Sequence, residues 1–309
     1  MNRSLVKIII ATTFILLVSC KPDSKEQIGF FQQQSKITNP GKFGYLYDDL
    51  PNEIDQIVEI LQGLMVHGGW IKSYDKNLIA DTLKFGFFMR KSEDILQSIN
   101  SIDTNSLTIK RPLEERLIVN CRTFAVIFCS ILRDKKIPAR VRAGYATYFN
   151  DYYENHWICE YWDRESDSWI KVDAQLDSLQ KNILEIQFNT LNIPEGFFLS
   201  AGEAWKLCRQ DKIDSDKIGV TGKGEFYHLG YKMLIQQVLG DFRALNKFEL
   251  LPWDTNPFWD KEFEELTKND LVFIDSIANI ITYENIDIEL IENIYKNDKR
   301  TKMSNDWSL

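Results

Sequence analysis

Between Leu117 and Asp177 the chain reads as one helix that is apolar nearly all round, then a proline, then three alternating strands. No other stretch limits the possible folds as much. From Thr123 to Arg133 the residues Phe124, Val126, Ile127, Phe128, Ile131 and Leu132 leave no wide polar face, so this helix must be buried. Asp134 to Pro138 ends it, because proline cannot continue a helix. From Ala139 to Phe149, Val141, Ala143 and Tyr145 alternate with Arg140, Arg142 and Gly144, the period of a strand. Asn150-Asp151 is a turn, Tyr153 to Trp162 a second strand, Asp163 to Asp167 a hairpin loop, and Trp169 to Ala174 a third strand. A buried helix packed on an antiparallel sheet is an α+β domain.

Three reactive side chains stand on these elements, Cys121 at the helix start, His156 early in the second strand and Asp173 at the end of the third. Cys121 stands where a polar turn becomes the apolar helix. A thiol attacks as thiolate, and a helix N-terminus favours that negative charge. Asn120 is placed to cap the helix, and Arg122 is expected to add a cation. The free N–H groups of the first turn can also receive a carbonyl oxygen as it gains charge. In the next strand, alternation sets His156, Ile158 and Glu160 on one side and Trp157, Cys159 and Tyr161 on the other, so His156 can face a cleft while Trp157 packs inward. Asp173 ends the following strand, where an antiparallel neighbour brings it beside His156. Thiol, imidazole and carboxylate suit a nucleophile, its base and the group that orients the base. Of the remaining histidines, His67 and His228 lie beside glycine-rich turns and read as structural or surface residues.

The flanks are mostly helical by pattern. Pro51 to Met65 carries apolar residues at helical spacing, with Asn52 as cap and His67-Gly68-Gly69 as stop. Further helices are expected over about Tyr74 to Met89 and Ser92 to Ile99, and Leu113 to Val119 is a helix or turn leading into the central block. Beyond Asp177, Gly202 to Arg209, Tyr231 to Leu245 and parts of Glu262 to Tyr295 read as helices. The aromatic segments Phe197 to Trp205 and Tyr231 to Trp259 are expected to be chiefly core. The organisation expected is a 1–19 signal peptide, a 20–44 tether, a 45–112 helical region, a 113–180 central core, a 181–296 mainly helical region and a 297–309 polar tail.

The first twenty residues have their own logic. Arg3 and Lys7 precede an apolar run from Ile8 to Val18, too short for a membrane span, and the run ends in Leu17-Val18-Ser19-Cys20. This resembles a bacterial lipoprotein signal, with Cys20 as the lipidated residue. The expected location is the bacterial cell envelope, tethered to a membrane by lipid. A net charge of -8 and the lack of a basic cluster argue against a nucleic-acid partner. No C-x-x-C, H-E-x-x-H, EF-hand, P-loop or G-x-G-x-x-G pattern occurs, so neither metal nor cofactor is expected. With Cys121 free and Cys20 lipidated, Cys129, Cys159 and Cys208 do not make a disulfide framework; Cys129 and Cys159 read as small buried hydrophobes.

The central block resembles the core of the transglutaminase-like superfamily. The resemblance is carried by Cys121 with Ala125, Lys136-Ile137-Pro138-Ala139-Arg140-Val141, Gly144-Tyr145, His156-Trp157, and Trp169 to Asp173, in that order. Lys136 stands where the family's pattern has glycine. The resemblance implies a papain-like, transglutaminase-like cysteine proteinase fold and a Cys121–His156–Asp173 triad that forms a thioester on a peptide or protein amide. Hydrolysis by water is favoured over cross-linking to an amine. The alternative it allows is a non-catalytic binding or scaffolding domain of the same fold. Oligomeric state is not legible.

Overall fold

A computed structural model describes residues 24–76, 83–222 and 225–303. In chain order the elements are α1 (Ser24–Gln32), α2 (Ile54–Leu64), β1 (Met65–His67), α3 (Ile71–Tyr74), α4 (Ser92–Ile102), β2 (Leu117–Val119), α5 (Cys121–Asp134), β3 (Ala139–Ala146), β4 (Tyr153–Asp163), β5 (Ser168–Val172), α6 (Ser178–Ile183), β6 (Phe198–Ser200), α7 (Ala201–Arg209), β7 (Ile218–Gly222), β8 (Glu225–His228), α8 (Gly230–Leu245), α9 (Lys268–Thr282) and α10 (Ile288–Asn297). The fold is α+β, as the central block predicts. Helix α5 is the buried helix of that reading: every residue from Arg122 to Arg133 is buried. It packs on β3 and β4 through Phe124, Phe128, Cys129, Val141, Trp157 and Cys159.

The helix ends in a way that fits its sequence. Ile137 N donates to Leu132 O at 2.8 Å and Lys136 N to Arg133 O at 3.1 Å, closing the last turn. This places Lys136 at φ 61°, the left-handed region that glycine enters without a Cβ clash. The glycine of the family pattern therefore has a backbone reason, and this chain tolerates lysine there.

The main sheet is larger than the expected three-strand meander. Its order is β6-β3-β4-β7-β8, with β5 also pairing β4. Strand β4 changes partner along one edge. Its first residues, Tyr153 and Glu154, pair in parallel with Ile218 and Gly219 of β7. Its later residues, Cys159 to Asp163, pair antiparallel with β5. Strands β6, β7 and β8 come from the region expected to be mainly helical, so the C-terminal part completes the sheet. A second apolar cluster, built on Trp205, Leu239, Phe242 and Ile277, joins α7, α8 and α9 to Tyr145 of β3.

Other expectations need correction. The helix after Pro51 starts at Ile54 and is capped by Glu53 without a side-chain bond, not by Asn52, and it stops before Met65. Met65–His67 is a strand because it pairs in parallel with Leu117–Val119. The Tyr74–Met89 helix does not form in the described part: α3 ends at Tyr74, and Phe85 bridges Ile118 instead. Residues 77–82 lie outside the described residues. The 20–44 tether reading fails from Ser24 on. Phe31 and Ile37 are fully buried, and Gln34 Nε2 donates to Ser130 O at 2.8 Å. The expected tail is likewise pinned as far as Thr301, which is buried and whose carbonyl accepts from Arg243 Nε at 2.7 Å. The signal segment and Cys20 lie outside the described residues.

Candidate active site

Cys121 is the first residue of α5, and Asn120 caps that helix. Asn120 Oδ1 accepts from Thr123 N at 3.0 Å and from Thr123 Oγ1 at 3.1 Å. Cys121 is half-buried, whereas Cys129, Cys159 and Cys208 are buried; all four are free thiols. His156 lies on β4 next to the change of partner strand. Asp173 follows β5 directly, and its backbone N is held by Thr190 O at 2.9 Å. The structure thus brings together the three residues that the sequence singles out.

The geometry fixes the histidine. Asp173 Oδ2 lies 2.8 Å from His156 Nε2 and accepts from the Tyr148 hydroxyl at 2.8 Å. Its other oxygen accepts from Gln175 N at 3.0 Å. With Nε2 given to Asp173, Nδ1 is the ring nitrogen left free, and Cys121 lines the same cavity as His156. The Phe149 and Tyr148 rings stand edge-on to the imidazole, with centroids 4.9 Å and 6.1 Å away. They limit its rotation and shield it from water.

Electrostatics follow from this arrangement. Burial alone pushes the Cys121 thiol up, but the neighbouring His156 and His67 rings bring it down to about 6. Burial disfavours a charged His156, yet the Asp173 carboxylate and its hydrogen bond, with Cys121, raise it to about 10. Asp173 is pushed up by burial and pulled further down by His156 and Tyr148, ending below its ordinary value. Both directions favour the charged forms, thiolate and imidazolium, over the neutral pair.

Two residues depart from the sequence reading. Arg122 does not serve the thiol: its guanidinium is buried and bonds the carbonyls of Glu249, Met89 and Arg90. His67, read as structural, is instead at the site. The parallel pairing of β1 with β2 sets His67 opposite Val119, two residues before Cys121. No local pattern signals this, because the pairing joins segments some fifty residues apart. His228 is exposed and bonds the Asp216 carbonyl, in keeping with its structural reading.

Cys121, His156, His67 and Asn120 line a cavity of about 940 Å³. Much of the remaining lining is aromatic or apolar, including Trp70, Tyr152, Phe226, Met233, Trp253 and Trp259. Most of the Tyr231–Trp259 stretch is core, as expected, but Trp253 and Trp259 wall the cleft, while Trp205 of the earlier stretch is fully buried against Asp275. Among the described residues no cluster of His, Cys, Asp or Glu could hold a metal ion, and no helix is long and apolar enough to cross a membrane.

Comparison with known proteins agrees with the central block. The family model of the transglutaminase-like superfamily matches residues 107–174, about a fifth of the chain. No curated protein matches significantly. A crystal structure from Cytophaga hutchinsonii, described provisionally as a cysteine protease, is similar at 19% identity with a TM-score of 0.31. The match covers 58% of this chain and 47% of that one, so the chain spans about half that structure's length. Such a likeness is too slight to transfer side-chain roles. The segment 107–174, which contains Cys121, His156 and Asp173, matches the model of the transglutaminase-like superfamily core and lies within a larger α+β chain.

Proposed function

We propose that the protein is a cysteine acyl-enzyme that acts on amide bonds, with Cys121 as nucleophile, His156 as acid and base, and Asp173 as the group that orients and charges His156. The observation that carries this reading is the hydrogen-bonded Asp173–His156 pair beside a half-buried thiol, with His156 and Cys121 on the wall of one cavity. The Cys121 thiolate attacks the carbonyl carbon of the amide and forms a C–S bond. The imidazolium of His156 gives its proton to the departing amine nitrogen as the C–N bond breaks, leaving a thioester. A water then loses a proton to His156 and attacks the thioester, releasing the acid and restoring the thiolate. Water is the favoured acceptor; an amine in its place would give a cross-link.

The cavity walls favour a bulky, apolar or aromatic group on the acyl side. The Glu154 carboxylate at the wall is already bonded by Thr221 N at 2.7 Å, Thr221 Oγ1 at 2.6 Å and Asn150 Nδ2 at 3.2 Å, so it is committed to the fold. The site's place in the cell follows from the N-terminal segment: we propose attachment to the envelope through lipid on Cys20, with peptide or protein amides as substrates.

Mass spectrometry of the protein after incubation with amide-bearing peptides should find an acyl adduct on Cys121. Adduct lifetime in water with and without an added amine then identifies the acceptor. An adduct on Cys129 instead, or none with any peptide that fills the cavity, would sink the reading. Incorporation of a labelled fatty acid that is lost in Cys20→Ser tests the anchor; undiminished labelling in that variant would contradict it.

A further inference from the structure

We propose that His67 and Asn120 form the oxyanion pocket of this site, each donating an N–H to the carbonyl oxygen as Cys121 attacks. This rests on the cysteine-enzyme reading above. His67 Nδ1 accepts from Gly69 N at 3.2 Å, so the ring proton sits on Nε2. That Nε2–H is the donor His67 has left, and the residue lines the same cavity as Cys121. With its lone pair committed to Gly69, His67 is a donor and not a second base.

Asn120 supplies the other donor. Its Oδ1 must accept from Thr123 N, and a flipped amide would set N–H against N–H. Its Nδ2 is therefore fixed as the free end, and that atom is buried without a partner. The residue is 8% exposed, lines the cavity and directly precedes the nucleophile. A buried amide left unbonded beside a reactive thiol is explained by an acceptor that arrives with the substrate.

The two donors follow the charge. In the resting pair the negative charge is on sulfur, where His67 Nε2–H holds it. When the sulfur electron pair forms the C–S bond, the carbonyl π pair moves to oxygen and the charge moves with it. Donors near both atoms then stabilise the transition state more than the ground state. On collapse the C=O bond returns, the C–N bond breaks, and His156 protonates the leaving nitrogen.

Two reactions of Cys121 in the full-length protein separate this role from simple thiolate stabilisation. Iodoacetamide alkylates sulfur by displacement and builds no charge on a carbonyl oxygen during attack. Acylation by p-nitrophenyl acetate passes through an oxyanion. His67→Asn keeps an acceptor for Gly69 N–H and removes the Nε2 donor; Asn120→Ser keeps a capping oxygen and removes the amide. Each should lower the ratio of acylation rate to alkylation rate by roughly tenfold or more. His67→Gln, whose amide N–H reaches toward the Nε2 position, should recover part of the loss. A ratio unchanged in both variants, or both rates falling in parallel, overturns the proposal. A wild-type Cys121 no faster than free cysteine with either reagent overturns the cysteine-enzyme reading itself, and this pocket with it.

Discussion

Strand β4 contributes to two buried ionic systems, through Glu160 and through His156, and the two differ in how they end. The first is Arg140, Arg142, Glu160 and Asp241. Arg140 Nε meets Glu160 Oε2 at 2.7 Å, Arg142 Nη1 meets the same oxygen at 3.1 Å, and Arg142 Nη2 meets Asp241 Oδ2 at 2.8 Å. Burial pushes Glu160 up, but Arg142 and Arg140 pull it down to about 2. The second is Cys121, His156 and Asp173. His156 and Asp173 are as deeply buried as the arginines. The difference is the end of the network. The arginine system closes on itself and none of its members lines the cavity, whereas the histidine system ends on a half-buried thiol at the cavity. Perturbed proton affinity alone therefore does not mark function here; it does so where a proton or an acyl group can leave the network.

The comparison can be broken by substitutions on either side. Cys121→Ala should abolish adduct formation outright, about a thousandfold or more, while the protein stays folded, since only a half-buried sulfur is lost. Removal of a partner in the closed network should act on stability instead. Asp241→Ala leaves Arg142 with Glu160 as its remaining carboxylate, which Arg140 already shares, and frees Ala143 N, which now donates to Asp241 at 2.9 Å. A loss of about 3–5 kcal/mol in denaturant unfolding is expected. Asp173→Asn should slow acylation by about a hundredfold, because it removes the charge that raises His156, and should move the thiol inflection upward in a pH titration. A large stability loss with little change in that inflection would blur the distinction. Cys129→Ala, on the same helix but inside the core, should leave adduct formation intact and cost only about 1 kcal/mol by thermal unfolding.

The same division explains what was legible in the sequence. Helix α5 and strands β3 to β5 follow one another, so their periods and turns sit in one continuous stretch, where Cys121 opens the helix, His156 lies early in β4 and Asp173 follows β5. The rest depends on pairing between distant segments. Met65–His67 is three residues long and follows an apolar helix, so its period continues the helical pattern; only Leu117–Val119 makes it a strand. His67 reaches the thiol by that same pairing. Strands β7 and β8 are short, and β8 is largely exposed, so no core-facing alternation announces them. The aromatic residues near Trp253 look like core because apolar composition alone does not tell a filled interior from a cavity wall. Arg122 was misread because a cation next in sequence to a helical thiol points elsewhere on the helix.

The central claim is that Cys121 rests as a thiolate paired with a charged His156. The direct measurement is the rate of Cys121 alkylation against pH, followed by mass spectrometry of the modified peptide. The thiol is depressed, so the thiolate should be present above its folded pKa and disappear as pH falls through about 6. Acylation that needs the His156 proton should decline again as pH approaches about 10. An alkylation inflection near 6, shifted upward in Asp173→Asn, is the result this account predicts. An inflection near 9, the ordinary value for a thiol, unchanged in Asp173→Asn, would contradict it.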